Sequence, residues 1–258
     1  MLRRARATDQ GLFLHHLAME ELQDRLSMVN RTFTAPAIVS GFPDIWRAAL
    51  PDAQVVGDDD VLALDPGAHD LVVHAMALHQ ANDPVGQIIQ CRRALKPDGF
   101  LLVLMLGGQT LHELRAALAQ AESEITGGLS PRITPMGEIR ELGALLQRAG
   151  LALPVADSFA TTARYRDLMH LMHDLRAMGD TNVLHNRLRR PTRRAVFARA
   201  QQIYADAFGQ GGTLPATFEM ICLTGWAPDD SQPKPLRPGS AQTRLAEALQ
   251  VPEIKLSD

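Results

Sequence analysis

Between residues 13 and 29, apolar side chains recur at helical spacing (Phe13, Leu17, Leu22, Leu26, Val29), with acidic and basic residues between them. The pattern predicts an amphipathic helix. After it the texture changes. Short apolar runs bounded by Gly, Pro and Asp occupy 37–39, 54–56, 61–64, 71–73 and 100–106, with helical stretches over 42–50 and 84–95. Strands alternating with helices imply βαβ units and a mostly parallel sheet. The run Leu101-Leu102-Val103-Leu104 lacks polar alternation, as expected of a strand buried on both faces. The helix before it closes on Lys96-Pro97-Asp98-Gly99, a basic last turn followed by a proline and a turn glycine.

Beyond Gly107-Gly108 the pattern predicts a helix over 110–125, with Glu113 three residues after Thr110 as a capping box. A Gly/Pro/Ser loop follows over 127–135, then a helix over 136–149 closed by Gly150, and a strand over 151–162. Tyr165, Leu168, Met169, Met172, Leu175 and Met178 form one helical stripe, 196–208 is helical and 216–226 is a strand. The stretch 229–239 is proline-rich and reads as surface chain. The fold class expected is α/β, a Rossmann-like, mostly parallel sheet. A helical element occupies 1–35, the core 36–164, an α-rich insertion 165–210, and a final strand and tail 211–258.

Composition narrows the partners. Across 258 residues, 26 basic and 29 acidic side chains leave a formal charge of −3, so bulk electrostatics argue against nucleic acid. The longest apolar run, 100–106, is far too short to span a bilayer. No secretory core follows the basic start at Arg3, Arg4 and Arg6, and a cytoplasmic protein is expected. Cys91 and Cys222 are too few for a disulfide framework or a cysteine-based zinc site. His170 and His173, three apart on a helix, lack further ligands, and no metal site is expected.

Candidate chemistry concentrates at the ends of the early strands, where ligands of open α/β sheets bind. The first turn reads Ser40-Gly41-Phe42-Pro43-Asp44. It has one glycine where nucleotide-binding turns commonly have two or three, and Pro43 lacks an N–H. After 54–56 comes Gly57-Asp58-Asp59-Asp60, where a carboxylate can accept hydrogen bonds from ribose hydroxyls; a solvated acidic turn is the plainer reading. After 71–73 comes His79 in Leu78-His79-Gln80-Ala81-Asn82-Asp83-Pro84, a candidate acid/base group, with Asp83 placed to cap the next helix. Arg187, Arg189, Arg190, Arg193 and Arg194 form a basic run, either a solvated loop or a docking patch for an acidic protein, with Arg189, Arg190 and Arg193 as the contacts.

The runs His69-Asp70-Leu71-Val72-Val73, 78–84 and Arg93-Ala94-Leu95-Lys96-Pro97-Asp98-Gly99-Phe100 resemble class I S-adenosylmethionine-dependent methyltransferases. More specific stretches follow: 107–115, Gly127-Gly128-Leu129-Ser130-Pro131-Arg132, Met178-Gly179-Asp180-Thr181-Asn182, Pro215-Ala216-Thr217-Phe218 and Gly225-Trp226. With Arg25 and Arg31-Thr32-Phe33, they resemble the mitochondrial complex I assembly factor 5 family and its bacterial relatives over nearly the whole chain.

That resemblance implies a seven-stranded-type methyltransferase fold, S-adenosylmethionine as ligand and a protein client, such as a subunit of respiratory complex I. It implies Asp58 or Asp59 as the ribose acid, Gly41 in the cofactor turn, and His79 near the adenine or the transferred methyl. The mitochondrial member is associated with arginine hydroxylation, so three activities stay open: methyl transfer, hydroxylation and non-catalytic assembly. The family's first motif is an acidic, glycine-rich loop, of which only Gly41 stands here. Each loss at that loop removes on the order of 1–3 kcal/mol of cofactor binding, enough in pairs to move a micromolar ligand toward millimolar.

Overall fold

A computed structural model describes residues 9–134, 136–182 and 184–233. Arg3, Arg4, Arg6 and the proline-rich stretch from 234 lie outside the described residues. The chain divides into two compact units, 1–228 and 229–258. In the described part of the second, Asp229 Oδ1 accepts hydrogen bonds from the Ser231 N–H at 2.9 Å and its hydroxyl at 2.6 Å.

The first unit carries α1 (Phe13–Met28), β1 (Pro36–Val39), α2 (Pro43–Ala49), β2 (Gln54–Val56), β3 (His69–Ala75), α3 (Pro84–Ala94) and β4 (Leu95–Leu106). There follow α4 (His112–Thr126), α5 (Ile139–Arg148), β5 (Ala152–Tyr165), α6 (Leu168–Ala177), α7 (Arg194–Phe208) and β6 (Leu214–Trp226). The strands form one sheet in the order β2-β1-β3-β4-β6-β5. Strands β1 to β4 are mutually parallel, and β6 runs antiparallel to both β4 and β5. Helices cover both faces, as the unbroken apolar runs require. Leu71, Val73, Leu102 and Leu104 face a core built with Leu14, Trp46, Leu114, Leu171 and Tyr204. Val72, Leu101 and Val103 face Ile88, Cys91, Leu142 and Leu146 of α3 and α5.

Three expectations need correction. Among the described residues the sheet has six strands, not seven, because 61–64 forms none. Val61 is 80% exposed, Pro66 follows closely, and the Leu62 N–H is taken by Gln90 Oε1 at 2.8 Å instead of a strand. Three-residue β2 is therefore the sheet edge. The Thr110–Glu113 capping box is absent. Thr110 Oγ1 accepts from the Glu219 N–H at 3.1 Å, and buried Glu113 accepts from Thr217, so both side chains tie α4 to β6. The turn expected at 96–99 lies instead within β4, where the register against β3 shifts, and its left-handed residue is Asp98, with φ 57°. Gly99 is needed for a different reason: a Cβ there would stand 2.9 Å from the Lys96 carbonyl oxygen.

Candidate functional site

Because β1 to β4 are parallel, the turns that follow them leave from one edge of the sheet. That edge gathers Gly41 after β1, Asp58 and Asp59 after β2, and His79 after β3. The antiparallel pair adds to the same edge. Tyr165 at the end of β5 is the register partner of Leu214 at the start of β6, and Leu106 at the end of β4 pairs with Met220. The segment between β5 and β6, with α6 and α7, thus leaves from that same edge.

The β1 turn is built for packing. The Ser40 N–H donates to the Val56 carbonyl at 3.0 Å, and the Phe42 N–H donates to Ser40 Oγ at 3.1 Å. The Phe42 ring lies 4.5 Å from the His15 ring, and Trp46 Nε1–H donates to His15 Nδ1 at 3.0 Å. A bulky residue beside Gly41 thus serves the α1–α2 contact, and exposed Pro43 occupies the first turn of α2. Gly41 is not among the described glycines with positive φ. Asp58 is half-buried and Asp59 exposed. Asp83 caps α3 as expected, accepting from the Gly86 N–H at 2.8 Å.

A cavity of about 350 Å3 opens beneath the inserted segment. Leu106 from β4, Leu111, Leu114 and Leu118 beside and along α4, Leu175 from α6 and Phe218 from β6 give it apolar walls. Polar groups converge at its rim: His79, Gln80, Arg132, Arg176, Asp180, Asn182 and Arg187. A mostly apolar hollow with a few placed polar groups is the usual form of a small-ligand or side-chain site. Gln80 Nε2 donates to Asp180 Oδ1, joining the turn after β3 to the inserted segment. Asn182 Nδ2 donates to the Pro131 carbonyl at 2.7 Å.

Arg132, beside Pro131, is itself firmly held. Its guanidinium grips Glu122 through Nε at 3.0 Å and Nη2 at 2.6 Å, and donates from Nη1 to Thr192 Oγ1 at 2.9 Å. Burial by itself would raise the Glu122 carboxyl, but hydrogen bonds from Arg132 and Ser130 outweigh it and hold the group below the ordinary glutamate range.

Of the residues expected at the site, His79 alone lines this cavity. Gly41, Asp58 and Asp59 stand on the same edge outside its lining. Arg189, Arg190 and Arg193 are exposed between α6 and α7, Arg193 as the residue that opens α7. Gln80, Arg176 and Arg187 were not singled out as cavity residues by periodicity. A signal for the cavity existed in the sequence: the stretches containing Thr110, Arg132, Asp180–Asn182 and Phe218, distant in the chain, all converge on it.

Glu21, Asp157 and Cys222 bring possible metal-ligand atoms within 4.8 Å of one another. Arg25 occupies that position, with Nε 2.6 Å from Glu21 and Nη1 2.6 Å from Asp157, as an ion-paired link from α1 to β5. Burial pushes the Cys222 thiol up to about 12. His170 and His173 are exposed on α6. No helix among the described residues is long and apolar enough to cross a membrane.

Comparison with known proteins agrees with this architecture. The family described as a methyltransferase domain matches residues 13–103. The protein named arginine-hydroxylase NDUFAF5, mitochondrial, of Danio rerio is 33% identical over 252 residues, 96% of this chain and 77% of that protein. Its Mus musculus counterpart is 36% identical over 248 residues, 95% of this chain and 69% of the other. The crystal structure of BH2331 from Bacillus halodurans C-125, assigned as a methyltransferase, superposes with a TM-score of 0.51 at 14% identity, covering 82% of this chain and 99% of that one. The structural likeness concerns the fold. The sequence likeness runs through sheet, cavity and inserted helices alike, and on it the chain belongs to the NDUFAF5 family, built on a Rossmann-like class I methyltransferase fold.

Proposed function

We propose that this protein binds S-adenosylmethionine at the β1–β2 end of the sheet edge and modifies a side chain that a protein client places in the neighbouring cavity. The observation that carries this reading is the position of the cavity. It lies between the sheet edge and a segment inserted at that edge, with His79 and Gln80, from the turn after β3, in its wall.

The residues present fit one end of the cofactor better than the other. Asp58 and Asp59, directly beyond β2, fit the ribose end, where a carboxylate accepts from both hydroxyls. The β1 turn fits the amino-acid end poorly: the Phe42 N–H is used by Ser40, and Pro43 has none. Cofactor affinity is accordingly low for the family, shifted from micromolar toward millimolar. When bound, the sulfonium supplies an electrophilic methyl group. Orientation of the acceptor falls to the cavity walls, and His79 is the group on them suited to take a proton from it.

Hydroxylation of an arginine, with one atom of molecular oxygen entering the side chain and the other leaving as water at the expense of an external two-electron reductant, is the second reading. It is favoured by the similarity, over most of the chain, to proteins named arginine-hydroxylases. Asp180 is the carboxylate in the cavity lining that a guanidinium would meet. In either reading the exposed Arg189, Arg190 and Arg193 dock an acidic segment of the client, such as a respiratory complex I subunit, in the cytoplasm.

Calorimetric titration with S-adenosylmethionine and S-adenosylhomocysteine tests the cofactor. Saturable binding is expected, weakened about tenfold or more in Asp58→Ala by loss of charge-assisted hydrogen bonds. Silence at millimolar ligand would exclude methyl transfer and leave arginine hydroxylation or a non-catalytic assembly role. Mass spectrometry of the client then separates an added methyl from an added oxygen.

A further inference from the structure

Strand β3 is buried along its whole length, and in that run His74 is fully inaccessible. Its neighbours across the sheet are Val39 and Val103. An imidazole in such surroundings is costly unless it is hydrogen-bonded. His74 Nε2 lies 2.8 Å from Oε1 of Gln87 on α3, which is itself buried. The other end of that amide donates to the Asp59 carbonyl at 3.1 Å and, at the limit of a hydrogen bond, to the Asp58 carbonyl at 3.5 Å. With Gln87 Nε2 donating, its Oε1 must accept, so His74 carries its proton on Nε2. The His74 Nδ1 is left without a hydrogen-bond partner, as suits a neutral ring.

Gln90, one turn further along α3, repeats the arrangement. Its Nε2 donates to the Asp60 carbonyl at 3.0 Å, and its Oε1 accepts from the Leu62 N–H at 2.8 Å. Spacing of three residues puts both amides on one side of the helix. Residues 58–62 follow the edge strand and belong to no strand themselves. Their backbone polar groups need partners all the same, and α3 side chains provide them. An apolar pair at 74 and 87 would fill the same space without desolvating two polar groups. What the polar pair adds is a fixed path for the acidic loop.

We propose that Gln87, backed by His74 and seconded by Gln90, is a positioning residue that holds Asp58 and Asp59 in register for the cofactor's ribose. The proposal rests on the reading in which these acids bind a nucleoside. It assigns the binding geometry of the loop to α3, across the layer from it.

Two variants at Gln87 separate positioning from packing. Gln87→Met keeps the volume and removes both hydrogen bonds. Gln87→Glu keeps an acceptor for His74 but cannot donate to a carbonyl. Both are expected to weaken S-adenosylhomocysteine binding about tenfold and to accelerate amide hydrogen exchange over 57–62. The melting temperature should fall with Met and at least as far with Glu, whose carboxylate faces the two carbonyl oxygens without a proton to offer them. Unchanged affinity and unchanged exchange in both variants would overturn the proposal. Should neither variant fold, half-buried Gln90→Met gives the same two readouts, with faster exchange at Asp60–Leu62 expected and unaltered exchange decisive against. If the wild-type chain does not bind S-adenosylhomocysteine, the cofactor reading fails by itself. Exchange over 57–62 then decides whether α3 holds the loop.

Discussion

Burial keeps His74 neutral and pushes its pKa down to about 4, from an ordinary value near 6.5, against weaker upward pulls from Gln87 and Asp58. The unfolded chain takes up this proton as pH falls through 6.5, and the native state resists until about 4. The stabilisation is therefore complete above 6.5 and is lost on acidification across that window, amounting to about 3 kcal/mol. Urea midpoints measured from pH 7 to 4 should show this slope, and His74→Asn should flatten it. At this scale, legibility was uneven. Asp83 announced its cap by standing before Pro84. Glu113 stood at capping-box spacing from Thr110, yet Thr217 claimed it, because a partner over 100 residues away in the chain is invisible to local spacing. His74 sat beside an apolar run, and nothing in that run showed that α3 would bring a glutamine opposite.

Helices and strands were legible wherever periodicity was sustained. The amphipathic pattern from Phe13, the run through Leu101–Leu104 and the final strand through Ile221 emerged as α1, β4 and β6. The four-residue run at 61–64 misled, since α3 takes the Leu62 N–H through Gln90 and leaves Val61 exposed, and no local spacing shows a helix 28 residues on competing for that backbone. Helix α6 illustrates what composition concealed. Its Met/Leu stripe reads as generic core, but Leu168 and Leu171 enter the main core while Met172 and Leu175 face the cavity. Leu171→Ala should therefore cost about 3 kcal/mol through the void it leaves, read as a lowered denaturation midpoint. Met172→Ala, on the cavity wall, should cost far less stability and alter ligand binding instead.

For the molecule as a whole, the net charge of −3 coexists with a concentrated basic segment between α6 and α7. Replacing Arg189, Arg190 and Arg193 together with glutamine removes exposed charges that the core does not use. The melting temperature should hold within a degree or two, while association with an acidic client should slow about tenfold at low salt and little at high salt. Equal association rates at low salt would assign client recognition elsewhere. The class of fold could be read in the alternation of strands and helices. The stretches that line the cavity stood out in the sequence one by one, but their meeting in one hollow did not, because it arises only when distant parts of the chain fold together.

The pairing of Tyr165 with Leu214 has an evolutionary corollary. A loop whose entrance and exit are adjacent rungs of one ladder behaves as a plug in a socket: held by Leu171 and Tyr204 in the core, its cavity-facing side can drift while the frame beneath stays put. Lineages sharing this sheet are thus free to reshape what the hollow admits by rewriting one face of a single cassette.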